Sequence, residues 1–286
     1  MEVDNFEITE ATDFAKILGG EDYSCWLKKT FTVSSGLFKY LRGLAISSNW
    51  SHRVVDKSCV VRDITIKPVI KYSNIKDIKD KISNTEMDLG KVTYGRYPQD
   101  VCSKEIEEIL SNFENFNGVN LLEKTGNTFT IDKTDLDASY NKLFEPLELI
   151  EYKYNGKYYV KVNANLGKLG ICYLSGGRKC YNKETFWIEV KPVVWRIDYT
   201  NELLISEKAI LAGIQLHRKC LRFNGEFEDT DLYKFMNTYI KKDMFRDAKI
   251  EYVNEDKKEK IEENKEFIDV NNKIKSLRKR IDNIRK

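Results

Sequence analysis

The chain has 286 residues, 41% hydrophobic and 12% aromatic, so it can bury one substantial core or two small ones and is neither disordered nor low in complexity. Its 48 basic and 45 acidic residues leave a net charge of only +3, which does not require a nucleic-acid partner. The longest apolar runs, such as Pro192-Val-Val-Trp195, fall far short of the roughly 20 residues that cross a bilayer, so no membrane partner is expected.

Met1-Glu-Val-Asp-Asn is acidic and lacks the basic region and apolar core of a secretory signal, which predicts a cytoplasmic location. A short helix is predicted from Thr9 to Leu18, with Phe14, Ile17 and Leu18 at helical spacing and Gly19-Gly20 as the stop. From Tyr23 to Ile70, aromatic and β-branched residues divided by Ser34-Ser35-Gly36, Gly43 and Ser47-Ser48-Asn49 read as several short strands with turns. Ser73 to Gly90 is polar, rich in Lys and Asp, and reads as a linker or short surface helix.

Val92 begins an extended segment, because Tyr97 precedes Pro98 and is pushed out of the helical region. Ser103 caps an amphipathic helix whose stripe is Ile106, Ile109, Leu110 and Phe113 and which ends near Asn117-Gly118. A polar loop with Asp132, Asp135 and Asp137 follows, then Tyr152 to Val160, where Asn155-Gly156 between two strand-like arms predicts a two-residue type I′ hairpin. Strands are predicted at Phe186 to Val190, Val193 to Ile197 and Leu203 to Ile205. Asp229 or Thr230 then caps a helix with Leu232, Phe235, Met236, Tyr239 and Ile240 on one side.

In residues 255–286, Phe267, Val270, Ile274, Leu277, Ile281 and Ile284 are spaced 3, 4, 3, 4, 3, a heptad seam. An amphipathic C-terminal helix results, either lying on its own domain or joining copies of the chain as a short coiled coil. From Lys273 onward it has seven basic residues against Asp282, a charge that also suits a helix C-terminus.

Six cysteines at 25, 59, 102, 172, 180 and 220 include no Cys-x-x-Cys pair, and the histidines are His52 and His217, so zinc is not expected. Reduced, buried thiols are favoured over disulfides. Cys172 and Cys180 flank Gly176-Gly177 and are placed to meet across a hairpin if one forms. The acidic loop lacks the Gly and distal Glu of an EF-hand and reads as solvated. No Walker loop, Gly-x-Ser-x-Gly elbow or His-Glu-x-x-His helix is present, no catalytic residue is assigned, and no cofactor is expected.

Val92-Thr-Tyr94-Gly-Arg-Tyr97-Pro98-Gln99, Tyr158-Tyr159-Val-Lys-Val-Asn-Ala164, Trp187-Ile-Glu-Val190-Lys-Pro192-Val-Val-Trp195-Arg and Leu203-Leu-Ile-Ser206 resemble, in that order, an uncharacterised domain family of gut Firmicutes and their mobile elements. That family is similar to the C-type-lectin-like fold shared with formylglycine-generating enzymes. Trp26-Leu27, Leu41-Arg42, Ser47-Ser48 and Ile66-Lys-Pro68-Val-Ile70 resemble the closing half of such a domain, with Lys67 where relatives have arginine. The resemblance implies an α+β fold: a C-type-lectin-like mixed domain with short antiparallel strands and a long C-terminal helix. Because the closing half precedes the opening half, it also implies circular permutation, preferred over two tandem modules. The divisions are 1–72, closing half; 73–90, linker; 91–250, opening half; and 255–286, C-terminal helix. Permutation predicts that the strands at 64–70 and 92–97 lie side by side and antiparallel.

The resemblance implies that ligands are met by the loops and strands of the closing half: Tyr40, Arg42, Ser47, Ser48, Asn49, Trp50, His52 and Arg53. Aromatic, Arg and hydroxyl side chains so interleaved suit an adaptable recognition patch, against the plainer reading of Trp50 as core and the serines as turn residues. The expected function is noncatalytic macromolecular recognition, in a bacterium or its phage, with another protein as partner and homo-oligomerisation through the C-terminal helix. The alternatives are an intracellular mobile-element effector that inhibits a nucleic-acid-directed defence complex through the basic tail, and a formylglycine-generating-like oxidase. The oxidase reading lacks the closely spaced reactive cysteine pair its relatives use.

Overall fold

A computed structural model describes residues 10–20, 65–72, 90–116, 118, 120–133, 145–167, 170–214, 231–246, 248–249 and 251–252, and the backbone of 24–25, 31–35, 38–46 and 52–55. The segments at 73–89, 134–144 and 255–286, and with them the predicted linker, most of the acidic loop and the heptad helix, lie outside the described residues. Within 1–252, one compact unit, the architecture is mixed α+β, dominated by antiparallel sheet with few helices, as expected.

Helix α1 (Asp13–Ile17) is shorter than its apolar spacing suggested and is capped by Thr12, whose hydroxyl accepts from the Ala15 N–H. The early strands are β1 (Ser24–Cys25), β2 (Phe31–Ser35), β3 (Phe38–Ile46), β4 (His52–Val55), β5 (Thr65–Ile66) and β6 (Val69–Lys71). Gly43 does not divide strands: it lies inside β3, opposite Val55 of β4. Next come β7 (Lys91–Val101), α2 (Lys104–Glu114), β8 (Glu123–Asp132), β9 (Pro146–Tyr154) and β10 (Lys157–Asn163). Ser103 caps α2 as predicted, though the helix stops at Asn115. Asp132 belongs to β8 rather than to a loop, and one carboxylate oxygen accepts the Glu145 N–H.

The small ladder β11 (Ile171–Tyr173) and β12 (Lys179–Tyr181) precedes β13 (Thr185–Asp198) and β14 (Leu203–Ser206). The two strands predicted from Phe186 and Val193 are one 14-residue strand, β13, in which Pro192 sits at a register irregularity rather than at a break. Helices α3 (Asp231–Phe235) and α4 (Lys241–Phe245) are joined through the π turn Met236–Ile240, and β15 (Glu251–Tyr252) closes the described chain.

Strand β13 organises the main sheet of eight. Along one side it pairs with β7; along the other it pairs with β10 and then with β14, and β6 extends the sheet beyond β14. The expected pairing of 64–70 with 92–97 is therefore not formed. Val69–Lys71 takes the free edge of β14, while the outer edge of β7 at Val92–Thr93 is taken by Glu251–Tyr252, so two strands separate β6 from β7.

The larger core lies on the face where Val160, Val162, Phe186 and Ile188 point, under α1, α3 and α4. Phe14, Tyr97 and Phe129 form an edge-to-face series through it, with centroids 5.7 and 5.6 Å apart. Burial, reinforced by Asp243, pushes the Tyr97 phenol well above its ordinary pKa, so it stays neutral. Gly95 lets α4 approach β7: a Cβ there would lie 2.7 Å from the Met244 carbonyl oxygen. On the opposite face, a smaller cluster of Tyr152, Tyr159, Trp187, Cys102 and Leu110 packs under α2. The Trp187 indole N–H donates to the Ser111 hydroxyl at 3.2 Å.

Candidate functional site

The hairpin of β9 and β10 closes as its sequence requires. Asn155 and Gly156 adopt φ of 47° and 75°, and Tyr154 pairs with Lys157. The ladder runs only as far as Val160 opposite Glu151. Beyond that rung β9 stays with β8, from Ile150 opposite Thr128 to Pro146 opposite Asp132, while β10 stays with β13 to Asn163 opposite Thr185. The two strands part, and the residues that would have continued the ladder, Glu148–Ile150 and Lys161–Asn163, line a cavity of about 700 Å³.

The parity of the ladder fixes where the backbone groups of this split point. A two-residue hairpin makes Tyr154 and Lys157 a hydrogen-bonded pair, so Tyr152 and Tyr159 follow with bonds to each other. On the far side of β9, the Lys133 N–H bonds the Glu145 carbonyl, which assigns odd-numbered residues there to β8. On the far side of β10, the Ala164 N–H bonds the Glu184 carbonyl, which assigns even-numbered residues to β13. The N–H and C=O groups of Glu148, Ile150, Lys161 and Asn163 therefore aim into the split from its two walls.

The fork is pinned by a buried ion pair. Glu151, on the last closed rung, is fully buried, and its Oε2 accepts from Arg96 at 2.9 Å, from the Thr125 hydroxyl at 2.7 Å and from the Asn127 amide at 3.0 Å. Arg96 also lies over the Tyr158 ring, 4.3 Å from its centroid. Such a charge is tolerable in a core only because it is paired and hydrogen-bonded.

The walls of the cavity mix apolar side chains with amides and charges of both signs. Lys161 is paired with Glu114 at the end of α2. Asn163 Oδ1 accepts from the Thr185 hydroxyl at 2.8 Å, and the Asn182 side-chain Oδ1 accepts from the Leu166 N–H at 3.0 Å. Leu18, Ile131, Leu147 and Leu149 supply the apolar part of the lining. Among the described residues, no group of three His, Cys, Asp or Glu side chains is placed to hold a metal ion.

The residues singled out by the sequence lie elsewhere. Tyr40 and Arg42 are on β3, opposite Val33 and Phe31, and His52 and Arg53 are on β4, opposite Ile46 and Ala45. The backbone thus brings these four into one three-stranded sheet, which among the described residues pairs with no strand of the larger one. Ser47, Ser48, Asn49 and Trp50 lie outside the described residues. The sequence signal at the cavity is the alternation of Lys161, Asn163 and Asn165 with Val162 and Ala164, just where an apolar strand would be expected to continue. Comparison of the chain with protein-family models, curated proteins and solved structures gave no match.

Proposed function

We propose that this chain is a noncatalytic recognition protein that takes an extended segment of a partner protein into the split between β9 and β10. The observation that carries the reading is the aim of the Glu148, Ile150, Lys161 and Asn163 backbone groups into a cavity between two diverging strands. Free strand edges recognise polypeptides by adding a strand, with main-chain hydrogen bonds giving affinity and side pockets giving specificity. The volume lies within the roughly 300–1,000 Å³ of ordinary ligand sites, and three residues per wall offer about 10 Å of edge. The mixture of amides, paired charges and leucines suits a polar main chain carrying alternate apolar side chains. The lectin-like relationship drawn from the ordered motifs belongs to the same proposal.

The test is an array of random ten-residue peptides probed with the full chain, followed by backbone N-methylation along each binder and by the Ile150→Pro variant. The Ile150 N–H points away from β8, so proline removes a donor from the split without removing a bond of the β8 ladder. Expected is loss of binding at alternate N-methyl positions and at least a ~10-fold loss in Ile150→Pro. Binding insensitive to both overturns the assignment to the split. Binding lost in Trp50→Ala but kept in Ile150→Pro moves recognition to the face of Tyr40, Arg42 and Ser47–Arg53.

A further inference from the structure

The ladder of β11 and β12 places Cys172 directly opposite Cys180. Two backbone bonds of the same parity flank that rung: the Leu174 N–H to the Arg178 carbonyl at 2.8 Å, and the Asn182 N–H to the Gly170 carbonyl at 3.1 Å. Cys172 and Cys180 are therefore a hydrogen-bonded pair, for which the Cα atoms stand about 5.5 Å apart, inside the about 4.4–6.8 Å that a disulfide spans. Neither is in a disulfide, and the Cys180 thiol donates to the Tyr181 carbonyl at 3.9 Å.

The surroundings make the pair addressable and hold it in register. Cys180 is fully buried, whereas Cys172 is partly exposed and open to a small solute. The turn between them, Ser175–Gly177, uses positive φ at Gly176 and Gly177 and is tied down by the Ser175 N–H, which donates to the buried Asp13 carboxylate at 2.7 Å. Ile171, Tyr173 and Tyr181, on the face of the ladder opposite to the two thiols, are exposed. The neighbouring Cys172 side chain and burial both push the Cys180 thiol up, so it keeps its proton.

We propose that Cys172 and Cys180 form a redox modification site, a dithiol that a hydroperoxide converts reversibly to a cross-strand disulfide. The Cys172 thiolate attacks the hydroperoxide, an S–O bond forms as the O–O bond breaks, and the departing oxygen leaves as water or an alcohol. Cys180 then attacks the sulfenic sulfur. The S–S bond forms as the S–O bond breaks, and hydroxide leaves as water with the Cys180 proton. Two thiols lose two electrons in all, and the hydroperoxide gains them. An external thiol reverses the step.

The full, reduced chain is treated with hydrogen peroxide, quenched with an alkylating agent and digested with trypsin without reductant. Cleavage after Lys168, Arg178, Lys179 and Lys183 leaves the two cysteines in peptides 169–178 and 180–183. Expected are those two peptides joined, about 2 mass units lighter than their sum and separated by reductant. In Cys180→Ser the bridge is absent, and sulfenic acid trapped by dimedone at Cys172 rises at least ~10-fold over wild type. A bridge using any other pair overturns the assignment. So does accumulation of dimedone adduct or sulfinic acid on wild-type Cys172 without a bridge.

Discussion

The two ends of the β9–β10 pair behave oppositely although they belong to the same strands. At Tyr154 and Lys157 the pair is zipped by a turn that specifies itself in two residues; past Glu151 and Val160 it parts, each strand keeping only its outer neighbour. Local chemistry closes one end, and long-range pairing opens the other. A cleft of this kind needs no special loop, only two strands with competing neighbours and a fixed point between them.

The largest break removes the scaffold common to both ends. Trp195 is fully buried, and its indole N–H donates to the Tyr94 carbonyl at 2.7 Å. Trp195→Ala is expected to cost about 3–5 kcal/mol and to lower the urea midpoint of both ends together. The fork can be struck separately. Arg96→Met leaves the Glu151 carboxylate buried without its cation and is expected to cost about 3 kcal/mol, with faster amide exchange spreading from Glu151 and Val160 toward the turn. At the closed end, Gly156→Ala forces a side chain onto φ of 75°. About 1 kcal/mol is expected there, with amide exchange accelerated at 157–160 and the cavity walls little changed.

The smallest effect tests the face under α2 by pH. Burial, with Glu107 adding, pushes the Cys102 thiol up to about 12 from 9.0, and the thiol donates to the Trp187 carbonyl. A raised thiol pKa favours the neutral form in the folded chain. Its contribution to stability is thus complete below pH 9 and is lost as pH rises through about 12. Alkylation of the native protein at pH 8 is expected to reach Cys172 at least ~10-fold faster than Cys102.

What the sequence made legible follows the same division. The Asn155-Gly156 turn, the Ser103 cap and the early helix ahead of Gly19-Gly20 are set by neighbours within a few residues, and all three formed. The split, the buried Arg96–Glu151 pair and the union of two predicted strands in β13 depend on partners tens of residues away. No periodicity along one segment carries that information. Pairing of 64–70 with 92–97 was inferred from the order of motifs, and it failed because β14 and β15 compete for the same edges. The candidate residues at 40–53 follow from the resemblance of the closing half and from their composition, whereas the cavity is made by backbone direction, to which both are blind.

The buried Asp13 carboxylate accepts the Val101 N–H at 3.2 Å and the Ser175 N–H, the latter 162 positions along the chain, and Thr12 and Ala11 are tied to Ala209. During synthesis α1 is therefore made well before its partners at 101, 175 and 209. Its apolar residues Phe14, Ile17 and Leu18 must wait, unburied, until the stretch as far as Ala209 is made. Closing contacts of such separation carries a large loop entropy, so α1 is expected to dock late in folding.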